Sequence, residues 1–262
     1  MAGITPGESR QRELWRRLDT VMDPELDESV VAMGFVESAT VATDGRVAVA
    51  FRLPTYWCSP NFAFLMLEDL REALTGLSWA PQFQLTLRDH LMGEEINAAL
   101  AAGQSFDEIV GRLAPDADIR GLRETFSMKA FKRRQEAVLL AARASGIADA
   151  AILRLTCAEL GTLEAPVARY LAALAARFPD HHAGASAFVT WEGAALRADD
   201  LPRYMAALRS VRINMEFSGA LCRGLRESRY HEVVRGEDGE PTLADFVLGR
   251  AGVSEMQEQG RR

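Results

Sequence analysis

Cysteine is scarce in this chain of 262 residues: Cys58, Cys157 and Cys222 are the three present, odd in number and far apart. Such spacing excludes a disulfide-stapled scaffold, and without a Cys-x-x-Cys pair it excludes a zinc knuckle too. Histidine is nearly as scarce, with four residues and no His-Glu-x-x-His run. No apolar run approaches the roughly 18 residues that a membrane-spanning helix needs. Positive charge is in deficit, 30 basic against 37 acidic side chains for a net charge of −7. That balance argues against nucleic acid or an anionic membrane as the main partner. Gly-x-Gly-x-x-Gly, Walker and Gly-x-Ser-x-Gly motifs are all missing, which removes the commonest nucleotide-binding and hydrolase readings. Met1 to Glu13 is polar and lacks a signal-peptide hydrophobic region, so the expected location is the cytoplasm.

What remains is ordinary globular composition, 48% hydrophobic and 26% charged, with chain enough to bury a core. Leu14, Leu18, Val21 and Met22 share one face of a helix expected over 11–22, broken at Asp23-Pro24. The period then switches to two, predicting strands over 35–42 and 46–53 around a Thr43-Asp44-Gly45-Arg46 turn. Ser59 suits an N-cap and Pro60 a first helical turn, with an apolar stripe from Phe62 to Leu74 ending near Gly76. Phe83, Leu85 and Leu87 mark a third strand. Beyond Asp89 the patterns are helical. Capping boxes stand at Ser105/Glu108 and Thr156/Glu159, and helices are expected over 122–144, 164–178 and 200–230, with a small hairpin over 188–196. The fold class is α+β: a helix-strand-strand-helix-strand domain over 1–90, then a mainly helical region over 91–262 that ends in a flexible polar tail.

Cys58 lies just before a helix N-terminus, where free amides and the helix dipole favour a thiolate. A thiolate there suits a soft metal, a cluster or attack on an electrophile; the plainer reading is a cysteine plugging a loop between Tyr56, Trp57 and Phe62. Asp23-Pro24-Glu25 is a helix-terminating turn, or a pair of carboxylates approaching the Cys58 loop at the same end of the sheet. A helix across 89–95 would set His90 and Glu94 on one face, and with Asp89 these suit iron or zinc. The alternative is a charged helix start. His181-His182 reads as an exposed loop, and His231 forms no Glu-x-x-His pair. Lys129, Lys132, Arg133 and Arg134 form a solvated face or a protein-contact patch.

The order of helix, Asp23-Pro24-Glu25-Leu26, Gly34-Phe35-Val36, hairpin and Thr55-x-x-Cys58 resembles the metal–sulfur cluster assembly factor family. That family includes small cytosolic iron–sulfur targeting factors and the phenylacetate-degradation D protein. The resemblance covers about the first 90 residues. Cys58-Ser59-Pro60 stands where the family usually has Cys-Pro, and Thr55-Tyr56-Trp57-Cys58 where it has Thr-Pro-Gly-Cys. The string from Leu53 to Phe62, with Phe217 to Tyr230 around Cys222, looks more like a longer branch that accompanies operons of propane-type diiron monooxygenases.

The resemblance implies a non-enzymatic maturation factor that handles iron or an iron–sulfur cluster transiently for a client apo-metalloenzyme, alongside other assembly factors. Cys58 would contact the cargo, Thr55 would shape its loop, and Asp23 and Glu25 would order that loop or complete the coordination. One thiol is short of the four ligands a cluster usually takes. A homodimer, a partner, or transient use of Cys222 and of His90 with Asp89 and Glu94 would supply the rest. Two other functions stay open. One is a metal-free adaptor anchored through Tyr56 and Trp57; the other is an enzyme with Cys58 as nucleophile and His90 as base.

Overall fold

The computed structural model describes residues 6–79, 82–161 and 166–230. Glu164, His231 and the tail over 235–262 lie outside the described residues. The rest form two compact units, the first from the described residues of segments 1–23, 28–117 and 218–262, the second from 24–27 and 118–217.

The first unit begins with α1 (Pro6–Leu18), which buries Leu14 and Leu18 completely. The helix expected over 11–22 thus starts five residues late and runs four residues past the observed end. Thr20 Oγ1 turns back onto the Arg17 carbonyl at 2.7 Å, and Met22 leaves the helix for a different partner. It belongs to β1 (Met22–Asp23), which pairs antiparallel with β2 (Glu28–Ser29). Next come β3 (Val36–Val41) and β4 (Val47–Arg52), an antiparallel hairpin whose turn uses Gly45 at φ +86 and an Asp44 carboxylate that accepts the Arg46 amide. A positive φ at that position suits glycine, which has no Cβ to clash.

α2 (Pro60–Thr75) then crosses over, and β5 (Phe83–Arg88) returns parallel to β4, giving the sheet order β3-β4-β5. Val47, Val49 and Phe51 of β4 meet Leu85 and Leu87 of β5 on the buried face. Above that face, α2 contributes Phe64, Leu65, Leu67 and Leu70. Both sheet edges are closed by an amide side chain. Gln11 bonds the Ala39 carbonyl at 2.7 Å and the Val41 amide at 3.0 Å; Asn97 bonds both the amide and the carbonyl of Leu87 at 2.8 Å. Satisfying edge groups in this way removes a template for unwanted strand pairing. Asn97 sits on α3 (Gly93–Ala101), which is followed by α4 (Phe106–Leu113). The expected capping box opens α4, and the Ser105 amide and hydroxyl hold the Glu108 carboxyl below its ordinary range.

The helix expected across 89–95 does not form. Asp89 adopts φ +51 and α3 starts only at Gly93, so His90 and Glu94 are not one helical turn apart. A left-handed residue cannot be continued into a right-handed helix turn.

The second unit holds α5 (Ile119–Ala144), the short helices α6 (Asp149–Ile152) and α7 (Cys157–Leu160), and α8 (Val167–Arg177). Gly146 at φ +80 follows α5 as expected, and the Thr156/Glu159 capping box opens α7. Phe131, Tyr170, Phe188 and Leu208 are central in its core. The hairpin expected over 188–196 forms in short form: Val189 and Ala195 make an antiparallel bridge, flanked by bonds from the Thr190 amide to the Ala194 carbonyl at 2.8 Å and from the Leu196 amide to the Phe188 carbonyl at 3.3 Å. Gln135 is fully buried and satisfied by the Tyr170 and Tyr204 hydroxyls and the Val189 carbonyl. The basic run is not a solvated face throughout: Arg133 donates to the Leu26 carbonyl and Arg134 to the buried Asp27 carboxylate. His181 is likewise occupied, with Nε2 on the Ser186 carbonyl at 2.8 Å. The last helix, α9 (Leu201–Tyr230), has residues 201–217 in this unit and 218–230 in the first.

Candidate functional site

The loop between β4 and α2 holds the thiol. Leu53 and Thr55 are buried at its start, while Tyr56 and Trp57 point outward, 40% and 71% exposed. Such large apolar side chains in water have no packing reason to be there. Cys58 follows, half-buried, and α2 begins two residues later. Its amide donates to the Thr55 carbonyl at 3.3 Å, closing a tight turn that brings Thr55 Oγ1 to 3.0 Å from Cys58 Sγ. Ser59 occupies the N-cap position, but its hydroxyl makes no capping bond, so the helix terminus beside the thiol lacks a side-chain cap.

A second loop, following β5, leans on the first. His90 is buried, 5% exposed, and its Nε2 lies 2.9 Å from the Cys58 carbonyl oxygen. The Met92 amide donates to Nδ1 at 3.2 Å, which makes Nε2 the protonated nitrogen and donor to Cys58. Both ring nitrogens are thereby held by backbone. The Leu91 amide adds a bond to the Tyr56 carbonyl at 2.9 Å, and the Leu91 side chain joins Tyr56 and Trp57 among the exposed large apolar groups.

The end of α9 completes the arrangement. Tyr230 directs its hydroxyl at the Leu53 carbonyl, 3.1 Å away, and at Asp89 Oδ2, 3.0 Å away. Arg229 pairs with the same Asp89 oxygen at 2.9 Å. The Arg52 guanidinium lies 3.7 Å from the Tyr230 ring centroid and pairs with Glu37 at 3.1 Å. Burial, and then the Asp89 carboxylate, push the Tyr230 phenol up to about 12.

The expected site residues divide accordingly. Thr55, Cys58, Asp89 and His90 are gathered on two touching loops. Asp23 is buried on β1, which packs against α2. Glu25 is half-buried in the segment 24–27 of the second unit. Glu94 is exposed in the first turn of α3, and Cys222 is half-buried on α9. Among the described residues no group of three or more His, Cys, Asp or Glu side chains is placed to hold a metal ion. Cys157, in the second unit, has its thiol pushed up by burial, which makes it a poor nucleophile. Arg229, Tyr230 and Leu91 were not among the expected site residues. No local pattern marks them, because each acts through a partner distant in sequence.

Residues 11–81 match the family model described as iron-sulfur cluster assembly protein. The match spans 71 of the 262 residues and is a likeness of this N-terminal segment to that family. No curated protein and no solved structure matches the chain. The matched segment contains Asp23, Glu25, Thr55 and Cys58, and the match supports a role in iron–sulfur cluster assembly. The segment ends before the Asp89–Met92 loop, whose His90 bonds Cys58, and before the last helix, whose Tyr230 bonds Asp89. No helix among the described residues is long and apolar enough to cross a membrane.

Proposed function

We propose that the protein is a non-catalytic accessory factor that helps load iron or an iron–sulfur cluster into a client metalloenzyme, with Cys58 as the cargo contact. The observation that carries this reading is the 3.0 Å approach of Thr55 Oγ1 to Cys58 Sγ, within the assembly-family segment and beside a helix N-terminus. A hydroxyl at that distance can donate to a sulfur that carries charge. One thiol supplies one ligand, whereas a cluster takes about four. The cargo is therefore shared, with the remaining ligands coming from the client, another assembly factor or a second copy of the chain. A diiron monooxygenase is the client we favour, and the cytoplasm the compartment. Iron and acid-labile sulfide, measured on protein purified without oxygen, test this reading. Both are expected in wild-type protein and lost in Cys58→Ala; equal contents in the two would overturn it.

A metal-free adaptor is the second reading, favoured by Trp57 standing 71% exposed next to Cys58. Under it, Trp57→Ala abolishes client binding while Cys58→Ala leaves client activation intact. Loss of client activation in Cys58→Ala cells would rule the adaptor out.

A further inference from the structure

We propose that the end of α9 is a strap that positions the Cys58 loop, with Tyr230 as its fastening residue and Arg229 as its charged flank. The inference rests on the reading of Cys58 as the working thiol and adds residues from well outside the assembly-family segment. Tyr230 touches both loops at once. Its single hydroxyl proton is shared between the Leu53 carbonyl, 3.1 Å away where the Cys58 loop departs from the sheet, and the carboxylate of Asp89, 3.0 Å away and next to the histidine that holds the Cys58 carbonyl. Its ring is held in turn against Arg52, at 3.7 Å, so the hydroxyl is aimed from a fixed platform.

Arg229 reaches the same Asp89 oxygen as Tyr230. It pairs with the carboxylate at 2.9 Å, and its guanidinium carbon lies 5.8 Å from the ring centroids of both Tyr56 and Trp57. Its Nη1 is buried with no hydrogen-bond partner among the described residues, and the same carbon lies 5.2 Å from the Tyr230 ring centroid. Guanidinium groups favour such faces. A loop that turns Tyr56 and Trp57 outward has little packing of its own, so its shape must be imposed from outside. The left-handed Asp89, φ +51, is consistent with the same constraint, since that conformation persists only where surrounding contacts hold it.

The strap is tested on the full chain by timed alkylation with iodoacetamide, read cysteine by cysteine by mass spectrometry, with Cys157 as the internal reference. Tyr230→Phe keeps the ring against Arg52 and removes only the proton donor. Its expected effect is a Cys58 rate raised about threefold to tenfold relative to Cys157, the span of a single side-chain hydrogen bond, with a melting temperature lowered by no more than about 2–4 °C. Asp89→Asn keeps an acceptor for Tyr230 and tolerates the left-handed backbone, so its Cys58 rate should stay nearer wild type. An unchanged Cys58 rate in Tyr230→Phe would overturn the strap. So would equal acceleration of Cys58 and Cys157, which would signal general loosening. Because alkylation reports the access and thiolate fraction of Cys58 and not its cargo, it stands apart from the iron and sulfide measurement. Unchanged cargo in Cys58→Ala would remove the functional reading while the alkylation result still decided whether the strap exists.

Discussion

His90 holds Cys58 by its carbonyl and not by its thiol. Nε2 donates to the Cys58 oxygen at 2.9 Å while Nδ1 accepts the Met92 amide at 3.2 Å, and the ring is almost wholly buried. Replacing it with alanine strips two backbone groups of their partners and opens a cavity beneath the loop. The expected loss of stability is about 2 kcal/mol, read from urea denaturation. His90→Gln, with one donor and one acceptor on a flexible stem, should recover part of it. A His90→Ala protein as stable as wild type would show that these two bonds contribute nothing.

Thr55 is buried, with its hydroxyl directed at Cys58 Sγ. Thr55→Val keeps the shape and removes the oxygen. A side-chain hydrogen bond is worth about 1 kcal/mol, so the variant should retain roughly fivefold less iron and sulfide in a chelator competition. Its fold should be unaffected by far-ultraviolet circular dichroism. Cargo retention equal to wild type would separate the hydroxyl from the chemistry of the thiol.

Much of this architecture can be read locally, and the failures have a common cause. The β3–β4 hairpin follows from alternation around Asp44-Gly45, and α2 follows from Ser59-Pro60 and its apolar stripe, because each signal acts within a few residues. The Thr55–Cys58 approach is also local, being an i, i+3 turn. Val21 and Met22 were misread as helix because their partners, Val30 and Ser29, lie across the intervening loop. Asp89 was misread for a more distant reason: its carboxylate is held by Arg229 and Tyr230, the latter 141 residues away. Periodicity carries no information at that range. The same applies to His90, whose position near Cys58 was foreseeable from topology, although the commitment of both ring nitrogens to backbone was not.

Asp27, which follows the Asp23-Pro24-Glu25-Leu26 motif and was not singled out in the sequence, has a structural task in the second unit. Its side chain is 3% exposed and meets two guanidinium groups: Arg134 bonds both carboxylate oxygens, and Arg169 bonds Oδ1 at 2.9 Å and the Asp27 carbonyl at 3.1 Å. The residue is left-handed, φ +53, a conformation asparagine also tolerates. Asp27→Asn therefore removes charge without backbone strain. Breaking a buried pair from one side leaves the other charge uncompensated, and the expected loss is about 3 kcal/mol, measured by chemical denaturation. Asp27→Gly should cost at least as much, since it deletes both acceptors. An Asp27→Asn variant within experimental error of wild type would mean that water serves the two arginines equally well.

The Tyr230 phenol provides a pH-dependent signature of the strap. Burial first, and the Asp89 carboxylate second, push it up to about 12, above the ordinary value of 10.0. Because the folded-state value is the higher one, the protonated phenol favours the fold. That contribution is complete below pH 10 and disappears as pH rises through about 12. The wild-type minus Tyr230→Phe difference in tyrosinate absorbance at high pH isolates this one group. It should show ionisation delayed toward pH 12, and in an Asp89→Asn background the delay should shrink without vanishing, since burial remains. Ionisation of Tyr230 near pH 10 in the wild type would mean that the phenol is solvated and that its bonds to Leu53 and Asp89 do not persist in solution. Deprotonation also removes the donor that fastens the two loops. Cys58 alkylation relative to Cys157 should therefore rise over the same pH interval in wild type and not in Tyr230→Phe, where the donor is already gone.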